Sequence, residues 1–144
     1  RDSIIQILQG LAKAIVKYQD PSSGTWYQVT DQGAREGNYL ESSATALFIY
    51  TLAKAINKGY IGNEYIEPTQ KAFDGMVKTF TRLEEDGSYT ITNCCAVAGL
   101  GGDSKRYRDG SFEYYISEPI IENDPKSVGS FILAAIEYEK MTKK

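Results

Sequence analysis

A short motif occurs twice in the chain, and this repeat constrains the fold more than any other feature. Residues 24–29, Gly-Thr-Trp-Tyr-Gln-Val, resemble residues 87–92, Gly-Ser-Tyr-Thr-Ile-Thr. Each copy follows an amphipathic helical pattern and precedes a more apolar one. Paired helices in a repeat must stack to bury their apolar faces. The sequence therefore predicts an all-α fold with two helix pairs, at about residues 1–63 and 64–144, in a single domain that forms part of a helical toroid.

Apolar spacing predicts four helices in these two pairs. The first has apolar residues at i, i+4 and i+7 positions, the pattern of an amphipathic helix. Its stripe consists of Ile4, Leu8, Leu11, Ile15 and Tyr18. The second helix is predicted at about residues 39–58, the half-exposed third at 64–83 and the fourth at 127–140. The second is apolar almost all round, so it and its counterpart, the fourth, are predicted to be the buried members of the pairs.

The segments between these helices carry weaker signals. Short extended pieces are predicted at residues 26–29 and 89–92, each after a turn. Residues 99–126 form a long stretch rich in Gly, Asp, Arg and Tyr, which predicts irregular structure. Short strands are therefore expected only within the loops of a helical fold.

The chain contains no histidine among its 144 residues, and this excludes several chemistries. Neither a Ser-His-Asp nor a Cys-His nucleophile system can be built, nor a His-ligated zinc or iron site. Acid–base catalysis would have to come from carboxylates, Tyr, Lys or Cys.

Charge and hydropathy limit the partners and the location. The 16 Lys and Arg residues against 19 Asp and Glu give a net charge of −3, which argues against a nucleic-acid partner or an anionic membrane surface. No apolar run approaches the roughly 20 residues of a membrane span. The first residues show no signal-peptide pattern, so a cytoplasmic location is expected. The adjacent Cys94 and Cys95 are predicted to be free, packed thiols.

Polar and aromatic residues concentrate in the two loops that lead into the buried helices. The first loop covers residues 35–43 and the second covers 107–126. Because the repeat places them before equivalent helices, we expect both loops on the same face of the stack. Free N–H groups and the positive ends of helix dipoles on that face would suit an anionic ligand. The alternative is that these residues only cap helices and form ordinary polar loops.

Carboxylates and aromatic rings supply the chemistry available on this face. Flat rings with a polar tip suit the C–H faces of sugars. The carboxylates are Glu41, Asp109, Glu113, Glu118, Glu122 and Asp124, and the aromatic candidates are Trp26, Tyr27, Tyr39, Tyr107, Tyr114 and Tyr115. The alternative is a surface or capping role for each carboxylate, and core packing for Trp26.

Five segments in order resemble the C-terminal part of glycoside hydrolase family 105, the unsaturated rhamnogalacturonyl hydrolases. They are Gly24-x-Trp26-Tyr27-Gln28-Val29, Asn-Tyr-Leu-Glu-Ser-Ser-Ala at 38–44, Val-Ala-Gly-Leu-Gly-Gly at 97–102, Arg-Asp-Gly-Ser-Phe-Glu-Tyr-Tyr at 108–115 and Asn-Asp-Pro-Lys at 123–126. This family is related to the unsaturated glucuronyl hydrolases of family 88. The resemblance covers essentially the whole chain.

The resemblance implies an (α/α)6 barrel of six helical hairpins, of which the chain holds about two. It also implies a glycosidase that removes a Δ4,5-unsaturated uronic acid from pectin-derived rhamnogalacturonan oligosaccharides. In that reaction an Asp protonates the enol ether double bond, water adds, and the hemiketal that forms collapses with loss of the sugar bond. No metal or organic cofactor is implied.

The chain departs from the family in one respect that matters for activity. The family's catalytic Asp, its Trp-Gly-Arg-Gly-Asn-Gly-Trp-like motif and its histidines have no match here, so we expect no catalytic residue in this chain and no turnover by the chain alone. The matching positions are expected to form one wall of the substrate pocket. The substrate-binding candidates are Trp26, Arg35, Asn38, Tyr39, Glu41, Arg108, Asp109, Tyr114 and Lys126.

Partners and alternatives follow from the same resemblance. The expected partners are an unsaturated uronyl oligosaccharide and either the remainder of the barrel or a second copy of the chain. The alternative function is a non-catalytic helical carbohydrate-binding or assembly module of the same ancestry. An unrelated helical-toroid enzyme such as a sugar epimerase is disfavoured, since those enzymes usually rely on histidines.

Overall fold

The computed structural model describes residues 1–33, 35–102 and 107–143, and its long elements are helices. The helices are α1 (Asp2–Lys17), α2 (Ser42–Asn57), α3 (Ile66–Phe80), α4 (Phe112–Ser117) and α5 (Pro125–Thr142), with a 3-10 turn at Asn63–Tyr65. The strands are β1 (Thr81–Leu83), β2 (Tyr89–Ile91), β3 (Cys94–Cys95) and β4 (Ile120–Ile121). The four predicted helices are thus α1, α2, α3 and α5. The short helix α4 lies in the stretch predicted to be irregular, of which residues 103–106 fall outside the described residues.

Helices α2 and α5 lie side by side and run in the same direction. Near their N-termini the hydroxyls of Ser42 and Ser127 share a hydrogen bond of 2.9 Å. Near their C-termini the Asn57 amide donates to the Glu137 carbonyl, also at 2.9 Å. The face that α5 turns inward is made of small residues, with Ser127, Ser130 and Ala134 all buried, and small side chains let two helices approach closely.

Each of these two helices has an antiparallel companion that precedes it in the chain. In the second pair, Phe73 of α3 stacks on Tyr138 of α5 with ring centroids 3.9 Å apart, and Val77, one turn later, shares an apolar groove with Phe131. Later residues of α3 therefore lie beside earlier residues of α5, so the two helices are antiparallel. In the first pair, Trp26 joins the C-terminal part of α1 to the N-terminal part of α2, as described below. The arrangement is two outer–inner helix pairs with parallel inner helices.

The short strands form two antiparallel ribbons between α3 and α5. Thr81 pairs with Ile91 in the β1–β2 ribbon, and Cys94 pairs with Ile121 in the β3–β4 ribbon. The predicted piece at residues 89–92 is β2, whereas the predicted piece at 26–29 is reduced to a single bridge between Tyr27 and Leu40. Both cysteines are buried free thiols, as predicted.

The buried faces of α1 and α5 differ from the predicted ones. In α1 the predicted stripe is split, because Ile15 is buried while Ile4 is 69% exposed and Leu11 is 47% exposed. In α5, predicted to be buried, Ile132 and Ile136 are exposed because its small-residue face packs against α2. Two apolar stripes remain exposed. The α1 stripe consists of Ile4, Ile7 and Leu11, and the α5 stripe of Ile132, Leu133 and Ile136.

No helix within the described part of the chain is long and apolar enough to cross a membrane.

Candidate functional site

The N-terminal ends of α2 and α5 bring the two predicted loops together. The Arg35 guanidinium from the first loop forms an ion pair with Glu113 and lies 3.8 Å from the centre of the Phe112 ring. The Glu41 carboxylate accepts a hydrogen bond from the Cys95 backbone N–H at 3.0 Å. The expectation that both loops lie on one face is confirmed. We call this surface the loop face; it comprises residues 35–43, 94–99, 107–118 and 123–126.

Glu41 lies beneath the loop face and caps α2. Its side chain accepts hydrogen bonds from the Ala44 backbone N–H at 2.6 Å and the Ser43 hydroxyl at 2.8 Å, in addition to the one from Cys95. The residue is only 1% exposed. The structure gives Glu41 the capping role of the alternative: the carboxylate ties α2 to β3, with its lone pairs occupied by protein donors, and a substrate contact by Glu41 is not supported.

Tyr39 lies beside the Glu41 carboxylate and the Cys95 thiol. Its hydroxyl is buried and, among the described residues, makes no hydrogen bond of good geometry. Burial, followed by the neighbouring Cys95 thiol and the Glu41 carboxylate, raises the pKa of the Tyr39 phenol far above its usual range. The phenol therefore stays neutral. The Cys95 thiol also accepts a hydrogen bond from the Gln28 amide at 3.3 Å.

Asn38 closes the first loop instead of facing a ligand. Its amide nitrogen donates to the carbonyls of Val29 and Gln32, both at 2.9 Å, and its oxygen accepts from the backbone N–H groups of Val29 and Tyr39. All donors of this amide are used within residues 29–39. A substrate contact by Asn38 is therefore not supported, since binding would break the loop.

Trp26 belongs to the hydrophobic core. It is 0% exposed, its indole N–H donates to the Ile15 carbonyl at 2.7 Å, and its backbone N–H donates to the Thr45 hydroxyl. Its ring packs edge-on against Phe48 at 5.2 Å. The structure agrees with the alternative of core packing, because both the ring and its polar tip are already used, and sugar stacking by Trp26 is not supported.

Arg108, Tyr114 and Glu118 form a second cluster on the loop face. The Nε of Arg108 lies 3.8 Å from Oε1 of Glu118, whose side chain is 0% exposed. The Tyr114 hydroxyl accepts a hydrogen bond from the Gly99 backbone N–H at 3.0 Å. Burial, followed by a hydrogen bond with Glu118, raises the pKa of the Tyr114 phenol. Two of the predicted binding residues are thus brought together around a buried carboxylate.

Glu118 is one of the carboxylates predicted near this face, but the sequence patterns do not predict it as the centre of a cluster. The sequence signal was available: Glu118 is the one charged residue in the segment Ile-Ser-Glu-Pro-Ile-Ile at 116–121. A lone charge among apolar neighbours is buried only when it is paired.

Asp109 and Lys126 lie at helix starts, where each is engaged by neighbours. Asp109 accepts hydrogen bonds from the backbone N–H and the hydroxyl of Ser111, and the backbone bond is the main cause of its lowered pKa. The Lys126 ammonium donates to the Ala96 carbonyl at 2.9 Å and to Asp124 at 2.7 Å. Asp124 in turn caps α5, and its hydrogen bond with the Lys126 side chain lowers its pKa.

The loop face carries basic and acidic side chains at its surface, where Glu36, Asp109 and Glu113 are also exposed, and two buried carboxylates lie beneath it. The side chains of Arg35, Arg108 and Lys126 are 46%, 30% and 50% exposed, whereas Glu41 and Glu118 are buried. The three basic side chains and two helix N-termini can contact an anionic ligand locally, but the face as a whole is not cationic. Every carboxyl group of the described residues whose pKa is displaced has it lowered, which is the opposite of what a proton donor needs.

Within residues 1–33, 35–102 and 107–143 no three metal-ligating side chains cluster. A groove of about 670 Å3 lies at the opposite ends of α2 and α5, lined by Lys54, Asn57, Lys58, Glu137, Lys140 and Lys143. Lysines in the last turns of helices complement the negative dipole ends, and Lys140 pairs with Glu137 at 3.1 Å, so this groove is explained without a ligand.

The fold is that of the helical-barrel glycoside hydrolases. Residues 1–142 match Glycosyl Hydrolase Family 88, and the chain belongs to this family. A family 105 glycoside hydrolase of C. acetobutylicum ATCC 824 is 44% identical, with a TM-score of 0.91 over 95% of this chain. A family 88 glycosyl hydrolase from Bacteroides vulgatus is 28% identical, with a TM-score of 0.66 over 98% of this chain. The predicted relationship to families 105 and 88 and the predicted (α/α)6-barrel fold class are both confirmed.

The chain is shorter than the proteins it resembles. It covers 38% of the C. acetobutylicum protein and 36% of the Bacteroides vulgatus one. Protein Atu3128 of Agrobacterium fabrum and the 24.9 kDa protein in the picA locus of Rhizobium radiobacter are each 37% identical over 119 residues, 80% of this chain. The chain spans about half (51%) of the length of these two relatives.

Proposed function

We propose that this chain is part of a glycoside hydrolase that removes a Δ4,5-unsaturated uronic acid from pectin-derived rhamnogalacturonan oligosaccharides. Membership of family 88 and the likeness to a family 105 glycoside hydrolase support this proposal. The basic side chains of the loop face support it chemically, because the uronic acid carries a carboxylate that such side chains can bind. Bond cleavage would follow protonation of the enol ether, addition of water and collapse of the hemiketal.

We propose further that the chain supplies one wall of the substrate pocket and not the proton donor. The observation that carries this proposal is the engagement of the carboxylates on the loop face. Glu41 is buried as a helix cap, Asp109 and Asp124 hold helix starts with lowered pKa values, and Glu113 pairs with Arg35. The family's catalytic Asp has no counterpart among them.

The isolated chain is therefore expected to show no turnover. An unsaturated galacturonyl-rhamnose disaccharide would be incubated with the chain, and loss of the enol ether absorbance would be followed. The C. acetobutylicum family 105 protein would be assayed beside it for comparison. Clear turnover by the chain alone would show that its own residues include a proton donor, and would sink the pocket-wall proposal.

The two apolar stripes suggest how the remaining wall is attached. We propose that the α1 and α5 stripes pack against the remaining hairpins of the barrel or, failing that, against a second copy of the chain. An apolar patch of a few hundred Å2 is usually covered in a working protein. Each stripe lies on one helix pair, as expected for the two open edges of a partial ring.

Polar substitution of the α5 stripe should reduce this association. In the double variant Ile132→Ser and Ile136→Ser, we expect clearly less binding of a hydrophobic dye and a lower apparent mass by light scattering, with unchanged helical circular dichroism. Leu83→Ser is the matched control, because Leu83 is an apolar residue 62% exposed on β1 and belongs to neither stripe. A wild-type chain that is monomeric and binds no dye would contradict the proposal.

A further inference from the structure

The backbone of Arg108 is fixed on the loop face. Its N–H donates to the Gly101 carbonyl and its carbonyl accepts from the Gly101 N–H, both at 2.9 Å. These two bonds form an isolated antiparallel bridge. The start of the Arg108 side chain is therefore held in place, which lowers the entropy lost when the guanidinium binds a ligand.

The guanidinium of Arg108 is oriented with its inner edge toward Glu118. The Nε atom is fully buried and faces the Glu118 carboxylate, while the side chain as a whole is 30% exposed. The solvent-exposed surface of the Arg108 side chain therefore comes from atoms other than Nε. Nη1 lies next to Gly99, since a Cβ built on that glycine would be 3.7 Å from it. Nη1 thus lies beside Gly99, at the edge of the guanidinium opposite Glu118.

Arg108 differs from the other two cations of the loop face in what its terminal atoms contact. Arg35 pairs with Glu113 and donates to Gln32, and Lys126 donates to Ala96 and Asp124. Within the described residues, neither Nη1 nor Nη2 of Arg108 makes a hydrogen bond. Glu118 also lies beside the neutral Tyr114 phenol, so the arginine is not its sole neighbour.

We infer that Arg108 binds the carboxylate of an acidic sugar through its two terminal nitrogens, and that Glu118 is a positioning residue that holds the Nε edge. This inference rests on the proposed function, since it assigns a group on the uronyl substrate to a residue of the pocket wall. A planar guanidinium matches a carboxylate with two parallel hydrogen bonds, a geometry that a lysine ammonium cannot reproduce.

The test is a titration of the chain, followed by NMR, with two probes that differ only at the carboxyl group. One is an unsaturated galacturonyl-rhamnose disaccharide and the other is its carboxyl-reduced analogue. The wild type should bind the acid about tenfold more tightly than the reduced sugar, as expected for a charge-assisted bidentate pair. Arg108→Ala should lose this preference, and Arg108→Lys should regain only part of it.

Two further variants separate positioning from folding. Glu118→Gln, judged on samples with an unchanged thermal transition, should weaken binding of the acid but not of the reduced sugar. Arg1→Ala, at an exposed arginine outside the loop face, is the matched control and should change neither affinity.

The outcomes distinguish this inference from the proposed function. If the wild type prefers the acid and Arg108→Ala keeps that preference, Arg108 is not the carboxylate-binding residue, while the proposed function stands. If the wild type binds neither sugar, the pocket-wall proposal fails and the inference fails with it.

Discussion

Replacement of Glu41 by alanine should lower the free energy of unfolding by about 3 kcal/mol. The variant loses the α2 cap, typically about 1 kcal/mol, and leaves the buried Cys95 N–H without an acceptor, a further cost of about 1–3 kcal/mol. The three bonds that are lost run to Ala44, Ser43 and Cys95. Since domains of this size are stable by only about 5–15 kcal/mol, the effect should be large.

Urea denaturation followed by circular dichroism measures this change. Glu139→Ala is the matched control, because the Glu139 side chain is 62% exposed and its ion pair is with Lys143, so we expect a change below about 0.5 kcal/mol. A loss of less than about 1 kcal/mol in Glu41→Ala would mean that the carboxylate is not the link between α2 and β3 that the geometry indicates.

Replacement of Trp26 by alanine should cost about 4 kcal/mol, the size expected when a large buried aromatic side chain is removed from a core. Trp26 fills the space between α1 and α2, and its indole N–H satisfies the Ile15 carbonyl. Trp26→Phe keeps most of the ring but removes the indole hydrogen bond to the Ile15 carbonyl, so we expect a smaller loss of about 1.5 kcal/mol. Such losses of stability, larger for alanine than for phenylalanine, are expected if Trp26 lies in the core. They would not be expected if its ring were exposed for stacking on a sugar.

The same denaturation measurement applies, with the disaccharide titration run on Trp26→Phe in parallel. Tyr89→Ala is the aromatic control, since Tyr89 is 65% exposed, and it should change the unfolding free energy little. If Trp26→Phe kept wild-type stability but lost sugar binding, Trp26 would be a ligand contact after all, and its placement in the core would be wrong.

The helices could be predicted from the sequence because their signals are local. The second helix was expected at 39–58 and is observed at Ser42–Asn57, with Glu41 as the cap. The third was expected to reach residue 83 but ends at Phe80, where the chain turns into β1. Thr81–Leu83 leaves the helix because it pairs with Tyr89–Ile91, a tertiary contact that helical periodicity does not encode.

The exposed stripes show a second limit of sequence patterns. Apolar residues on two faces of α1 cannot all be buried by one neighbour, and periodicity alone does not say which face is chosen. In α5 the apolar residues face outward and the small ones pack against α2. A sequence predicts that one face of a helix is apolar. Whether that face is buried depends on which other helices pack against it.

The site was predictable as a region but not residue by residue. The repeat correctly placed both loops on one face. It could not distinguish a polar side chain that binds a ligand from one that serves the fold, because Asn, Glu and Trp do both. Asn38, Glu41 and Trp26 serve the fold, whereas Arg35, Arg108 and Lys126 reach the surface. The assignment of substrate contacts to these cations stays a prediction.

The central claim is that this chain is a pocket wall that needs the rest of the barrel for catalysis. The most direct test compares the chain alone with a chimera in which it replaces the matching 38% of the C. acetobutylicum protein, with which it shares a TM-score of 0.91. The rate of loss of enol ether absorbance would be measured for both, beside the parent protein. We expect turnover by the chimera and none by the chain. Turnover by the chain alone, or a folded chimera that binds the disaccharide without cleaving it while the parent is active, would contradict the claim, and the latter would favour a non-catalytic carbohydrate-binding module.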